Sequence, residues 1–229
     1  MIGNVIVGQS GGPTSVINAS LVGVYKTALD MGAGKIYGMI NGMYGFLDEK
    51  YVNLKDCIQN DLEIELLKRT PSSYLGSCRF KLPDYNIDEE PYIKAFNLLK
   101  KLDIKYFFYI GGNDSMDTLS KMGAYGRKIG SDIRFVGVPK TIDNDLKGTD
   151  HTPGFGSAAK YIGSVMKEVI RDNKVYGSDL IAVVEIMGRN AGWLTAASAL
   201  SKAEDCEGPE MILLPEITFD PEKFLNETV

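Results

Sequence analysis

Four apolar runs, at residues 5–7, 106–110, 134–138 and 180–186, each end on a loop of glycine or polar residues, with stretches of helical spacing between them. That pattern restricts the fold more than any other feature of the chain. Short β-branched and aromatic runs without polar alternation are buried on both faces, and helices between such runs join them as parallel neighbours. The expected class is α/β, with Rossmann-like parallel sheets flanked by helices. Further strands are expected at 35–40 and 211–214, and helices at 16–31, 61–68, 91–102, 115–123 and 191–199. Ligands of such sheets bind beyond the carboxyl ends of the strands, so the loops that follow the apolar runs are where function is sought.

Composition narrows the partners. With 25 basic against 30 acidic residues the chain has no global basic footprint for nucleic acid. Any anion must be held by a local site. Cys57, Cys78 and Cys206 are odd in number and lack metal-ligand spacing, which fits free thiols in a reducing compartment. Neither a signal-peptide pattern at the start nor a run of membrane-spanning length is visible, so a cytoplasmic protein without membrane contact is expected. The Gly/Thr/Pro-rich stretch 148–156 is the expected seam between domains 1–147 and 148–229.

Two loops concentrate chemistry. Gly111-Gly112-Asn113-Asp114-Ser115 closes one apolar run, and Pro139-Lys140-Thr141-Ile142-Asp143-Asn144-Asp145 closes the next. A cation, carboxylates and unobstructed backbone donors are what phosphoryl transfer requires. Each loop also has a plainer reading. Asn113, Asp114 or Ser115 would serve as an N-cap, Asp143-Asn144-Asp145 as an Asx-rich turn, and Lys140 as a solvated surface residue. If residues 141–145 are extended, Asp143 and Asp145 share one side. Gly11-Gly12 suits a phosphate or simply a tight turn. Met187-Gly188-Arg189 and Leu75-Gly76-Ser77-Cys78-Arg79-Phe80 each offer an arginine beside a glycine, and His151 reads as structural.

These motifs, in this order, resemble the phosphofructokinase family along almost the whole chain, from Gly11-Gly12 to Pro215-Glu216. The resemblance implies that Gly12 and Arg79 contact the phosphoryl donor and that Asp143 of Thr141-Ile142-Asp143 is the base for a sugar 1-hydroxyl. It implies that Thr141, Ile142, Met187, Gly188, Arg189 and Glu216 bind the sugar phosphate. Asp114 and Lys140 stand where ATP-using members carry glycine, as in the pyrophosphate-using branch. A carboxylate at Asp114 would repel a nucleotide α-phosphate, and Lys140 would neutralise the leaving phosphate. Met43 stands where ATP users place an aromatic ring.

The implied reaction moves a phosphoryl group reversibly from pyrophosphate to fructose 6-phosphate. The alternatives are ATP as donor or a non-catalytic regulatory homologue. Magnesium is the implied cofactor, with Asn113 and Asp145 as ligands and Asp114 beside them, although Asn113 replaces the usual aspartate and an amide is the weaker ligand. Leu180 replaces an arginine that reaches a neighbouring subunit. Homo-oligomers are common in the family, whose members run on for about a hundred residues or more, so the second of two similar domains is expected to be incomplete here.

Overall fold

Val5, Ile6 and Val7 are buried on both sides because the strand that contains them, β1 (Asn4–Gln9), lies at the centre of a five-stranded sheet. Residues 2–177 and 180–228 are described by the computed structural model. The chain divides into two units, Met1–Lys140 and Thr141–Val229.

In the first unit β1 pairs in parallel with β2 (Ile36–Met39) and with β4 (Ile104–Gly111). On the far side of β4, β5 (Arg134–Pro139) is also parallel. The outermost strand, β3 (Tyr51–Asn53), runs antiparallel to β2, so the sheet is mixed rather than wholly parallel. The connection from β2 to β3 holds only the short helix α2 (Gly42–Leu47) and the turn after it. That is too little chain for a parallel crossover, and the strand returns beside its predecessor.

Alternation along β1 feeds two cores. Ile6 joins Met39, Phe107 and Tyr109 on the face covered by α2, α5 (Glu90–Lys101) and α6 (Asn113–Lys128). Val5 and Val7 join Ile36 and Ile110 on the other face. It is covered by α1 (Ile17–Asp30), the short α3 (Leu54–Cys57) and α4 (Asp61–Arg69). Truncating a side chain as enclosed as Phe107, which packs on Tyr109 and Phe135, costs about 3–5 kcal/mol.

The second unit is built on α7 (Phe155–Asn173), which buries Phe155, Ala159, Gly163 and Met166 at helical spacing. Phe155 and Ala159 form a small core with Leu194 of α8 (Trp193–Ala196) and with Ala197, which opens the 3₁₀ turn Ala197–Ser201. A last helix, α9, spans Pro221–Thr228. Exposed pairs link α7 to the chain beyond the 3₁₀ turn, with Lys167 at 2.9 Å from Asp205 and Arg171 against the same carboxylate. Such pairs contribute little individually.

The strands expected at 180–186 and 211–214 do not form, and no described residue pairs with them. β-propensity measures fit to a neighbouring strand, and without one an apolar run has no ladder to join. The 19-residue α7 was hidden by the Gly/Thr/Pro-rich stretch read as a seam. Gly154, at φ 111°, starts that helix.

Candidate active site

Three parallel strands of the first unit, β1, β4 and β5, deliver their loops at the same sheet edge. After β1, Ser10 N–H donates to the Ile110 carbonyl at 2.9 Å, and the chain turns at Gly11, whose φ of 75° favours glycine. The Gly11 amide donates to the Cys78 carbonyl at 3.2 Å. Gly12 is exposed.

After β5, Lys140 N–H donates to the Gly111 carbonyl at 3.0 Å, and the lysine side chain crosses to donate to the Gly12 carbonyl. Lys140 is 5% exposed, which removes the surface-lysine reading. Its ammonium is held against the glycine turn by the fold. Helix α6 begins at Asn113 with Gly112 in the N-cap position and no side-chain cap. Neither Asn113 nor Asp114 is used as the cap, and both are exposed in the first turn, where a helix presents unpaired N–H groups.

Arg79 is exposed at the end of a segment tied to the glycine turn by the Gly11 amide and by the Ser77 hydroxyl, which donates to the Gly11 carbonyl. Behind this edge Tyr109 accepts from the Met43 amide at 3.2 Å and lies 3.7 Å from Cys78 Sγ. Burial pushes its phenol far above the ordinary tyrosine value, so it stays neutral. Met43 is fully buried in the core and presents no surface to a donor, while Tyr44 beside it is exposed. The side of α2 that faces the sheet decides which of the two neighbours is enclosed.

In the second unit Thr141 pairs with Gly154 in an isolated parallel bridge, closing a loop that carries Asp143. Asp143 N–H donates to the Thr141 hydroxyl at 3.0 Å, and Asp143 is half-buried. Asn144 is the hub. It is 7% exposed with φ 57°, its Oδ1 accepts from Thr152 N–H at 2.9 Å, and its Nδ2 donates to the Asp150 carbonyl at 3.0 Å. The segment therefore turns at Asn144, and the extended alternation of Asp143 and Asp145 is not adopted; Asp145 is exposed. Asn144 and Thr152 were missed as structural determinants, and the only sequence signal was the Asx-turn composition of 143–145.

Ile142 and Ile186 both pack on the core around Phe155, which brings the Thr141 loop and the Met187-Gly188-Arg189 loop to one cluster. Gly188 has φ 152°, and a Cβ there would meet the Ala191 carbonyl. Met187 and Arg189 are exposed. Glu216 Oε1 accepts from Gly192 N–H at 2.7 Å, fixing that carboxylate to the chain just after Arg189. Oxygen donors at Asn113 and Asp114 fit a magnesium ion that keeps waters and binds chiefly through substrate phosphates. Among the described residues no group of three or more His, Cys, Asp or Glu side chains is placed to hold a metal ion by itself.

A family model described as phosphofructokinase matches residues 4–229. The chain is 44% identical over 226 residues to a pyrophosphate–fructose 6-phosphate 1-phosphotransferase of Rhodospirillum rubrum, covering 98% of this chain and 54% of that one. It is 33% identical to an ATP-dependent 6-phosphofructokinase of Glaesserella parasuis, covering 99% of this chain and 64% of the other. The crystal structure of a pyrophosphate-dependent phosphofructokinase from Nitrosospira multiformis superposes with a TM-score of 0.88 at 41% identity, over 99% of this chain and 56% of that one. The chain thus spans little more than half the length of the Rhodospirillum and Nitrosospira proteins. With the loops, the sheet and the family match in agreement, the chain belongs to the phosphofructokinase family.

Proposed function

We propose that this chain carries the phosphoryl-transfer residues of a pyrophosphate-dependent phosphotransferase acting on fructose 6-phosphate. The observation that carries the reading is Lys140, buried and fixed on the glycine turn, with Asp114 in the first turn of the neighbouring α6. A carboxylate there disfavours a nucleotide, whose α-phosphate would add negative charge beside it. Pyrophosphate ends where that repulsion would begin. The higher identity to the relative named for pyrophosphate than to the one named for ATP supports the same choice.

Asp143 takes the proton of the sugar 1-hydroxyl as that oxygen attacks the near phosphorus of pyrophosphate. The bridging P–O bond breaks and phosphate leaves. Lys140, Arg79 and the Gly12 backbone hold the pyrophosphate and balance its charge through the loose transition state. Thr141, Met187, Gly188, Arg189 and Glu216 hold the sugar phosphate, while Ile142 acts through its packing on the Phe155 core. Asn113, Asp114 and Asp145 would hold magnesium, which would supply neutralising charge to the phosphates. Pyrophosphate and a sugar phosphate ester are close in transfer potential, so the reaction runs both ways.

The reading extends to a cytoplasmic homo-oligomer with the donor residues and the base loop 141–145 in 1–147 and the remaining sugar residues in 148–229. Among the described residues no helix is long and apolar enough to cross a membrane. Replacing the base tests the assignment: Asp143→Ser is expected to lower kcat by about 10²–10⁴-fold with KM values little changed. Near-normal turnover in that variant would remove Asp143 from the chemistry.

A further inference from the structure

Arg79 lies in the stretch 70–89, which contains no helix or strand, so its position depends on what ties that stretch down. The ties converge on two buried amides that no step of the proposed chemistry uses. Gln9, fully buried at the end of β1, accepts at Oε1 from Leu75 N–H at 2.9 Å. Its Nε2 donates to the Ile17 carbonyl at 3.2 Å and to Asn18 Oδ1 at 2.9 Å. Asn18, 1% exposed in the first turn of α1, accepts at the same Oδ1 from Tyr74 N–H at 2.9 Å and donates from Nδ2 to the Thr70 carbonyl at 2.9 Å. The Ser73 hydroxyl lies 3.0 Å from Gln9 Oε1 and 2.6 Å from the Gly76 carbonyl, and donates to one of them at a time.

We infer that Gln9 and Asn18 are positioning residues that set Arg79 against the glycine turn. The two amides are bonded to each other, so they fasten the start of the stretch, at Thr70, Tyr74 and Leu75, to the end of β1 and the start of α1 as one unit. Past Leu75 the same stretch is pinned to the turn itself, through Gly11 N–H on the Cys78 carbonyl and Ser77 on the Gly11 carbonyl. Arg79 follows directly. A fully satisfied buried network holds one arrangement, and a network missing a member leaves donors without partners and lets the stretch shift. Groups that orient metal ligands without touching the metal change affinity 10–100-fold, and bracing a binding arginine is the same kind of support.

The inference rests on the reading of Arg79 as a pyrophosphate contact, and its test separates the two. Asn18→Leu, similar in shape, is compared with the wild type and with the milder Ser73→Ala by amide hydrogen exchange and by titration with magnesium pyrophosphate. Faster exchange confined to residues 74–79, by about tenfold or more, is expected in Asn18→Leu, with β1 and β4 unchanged and a smaller effect in Ser73→Ala. Affinity for magnesium pyrophosphate falls about tenfold. In an Arg79→Ala background Asn18→Leu causes no further loss, because the pair acts through Arg79. Unchanged exchange at 74–79, or an equal loss of affinity with and without Arg79, would overturn the inference. If the wild type binds no magnesium pyrophosphate, the functional reading fails, and exchange still decides whether the amides hold the stretch.

Discussion

Replacing Asn144 with alanine removes the two side-chain hydrogen bonds it makes across the Asp143 loop and leaves Thr152 N–H, in a residue 3% exposed, without its acceptor. An orphaned buried amide costs about 1–3 kcal/mol. Asn144 also has φ 57°, where alanine is disfavoured by about 1–2 kcal/mol. Together these place Asn144→Ala roughly 2–5 kcal/mol below the wild type. In a unit the size of Thr141–Val229 that lowers Tm by roughly 10 °C or more. Asn144→Gly separates the terms, since glycine accepts the positive φ but supplies no bonds. It should recover about 1 kcal/mol of the loss. Thermal denaturation of the three proteins, followed by circular dichroism, measures both steps. Equal stability of Asn144→Ala and the wild type would refute the hub, and equal stability of the alanine and glycine variants would refute the backbone contribution.

Lys140→Met should lower pyrophosphate-dependent turnover by about 10²–10³-fold in a coupled assay, since it removes the buried cation beside Gly12. Glu216→Gln keeps an acceptor for Gly192 N–H and should change the sugar-phosphate KM less than Glu216→Ala, as initial rates will show. Hydrogen bonds from Lys128, Lys105 and Lys167 hold the carboxyls of Glu89, Asp132 and Asp205 below their ordinary values. Folded pKa values lowered in this way give stability that is present above the unfolded carboxylate values and lost as pH falls through the folded ones. These groups are exposed, so chemical denaturation across acid pH should show a small loss that shrinks in high salt.

The parts of this fold that were legible in the sequence are those with a periodic signal. Residues 5–7 and 106–110 became adjacent inner strands whose apolar character matches burial in a sheet, whereas 134–138 became the edge strand β5, with no residue buried, and the loops after the three runs carry Gly12, Asp114 and Lys140. The run 180–186 has the same character, yet it forms no strand, because pairing depends on a neighbour that its own residues do not specify. Helix α7 has a clear apolar stripe, but Gly154 and Pro153 ahead of it read as a linker. The buried amides Gln9, Asn18 and Asn144 left the weakest trace. A single polar residue in a loop, at a strand end or in a helix's first turn has no periodicity, and only the folded chain shows which backbone groups it meets.

Donor choice is the central claim, and one assay addresses it: formation of fructose 1,6-bisphosphate by the purified protein with magnesium and fructose 6-phosphate, given pyrophosphate or ATP. Product is expected with pyrophosphate and none with ATP, as Asp114 and Lys140 require. Product with ATP and none with pyrophosphate would contradict that choice of donor.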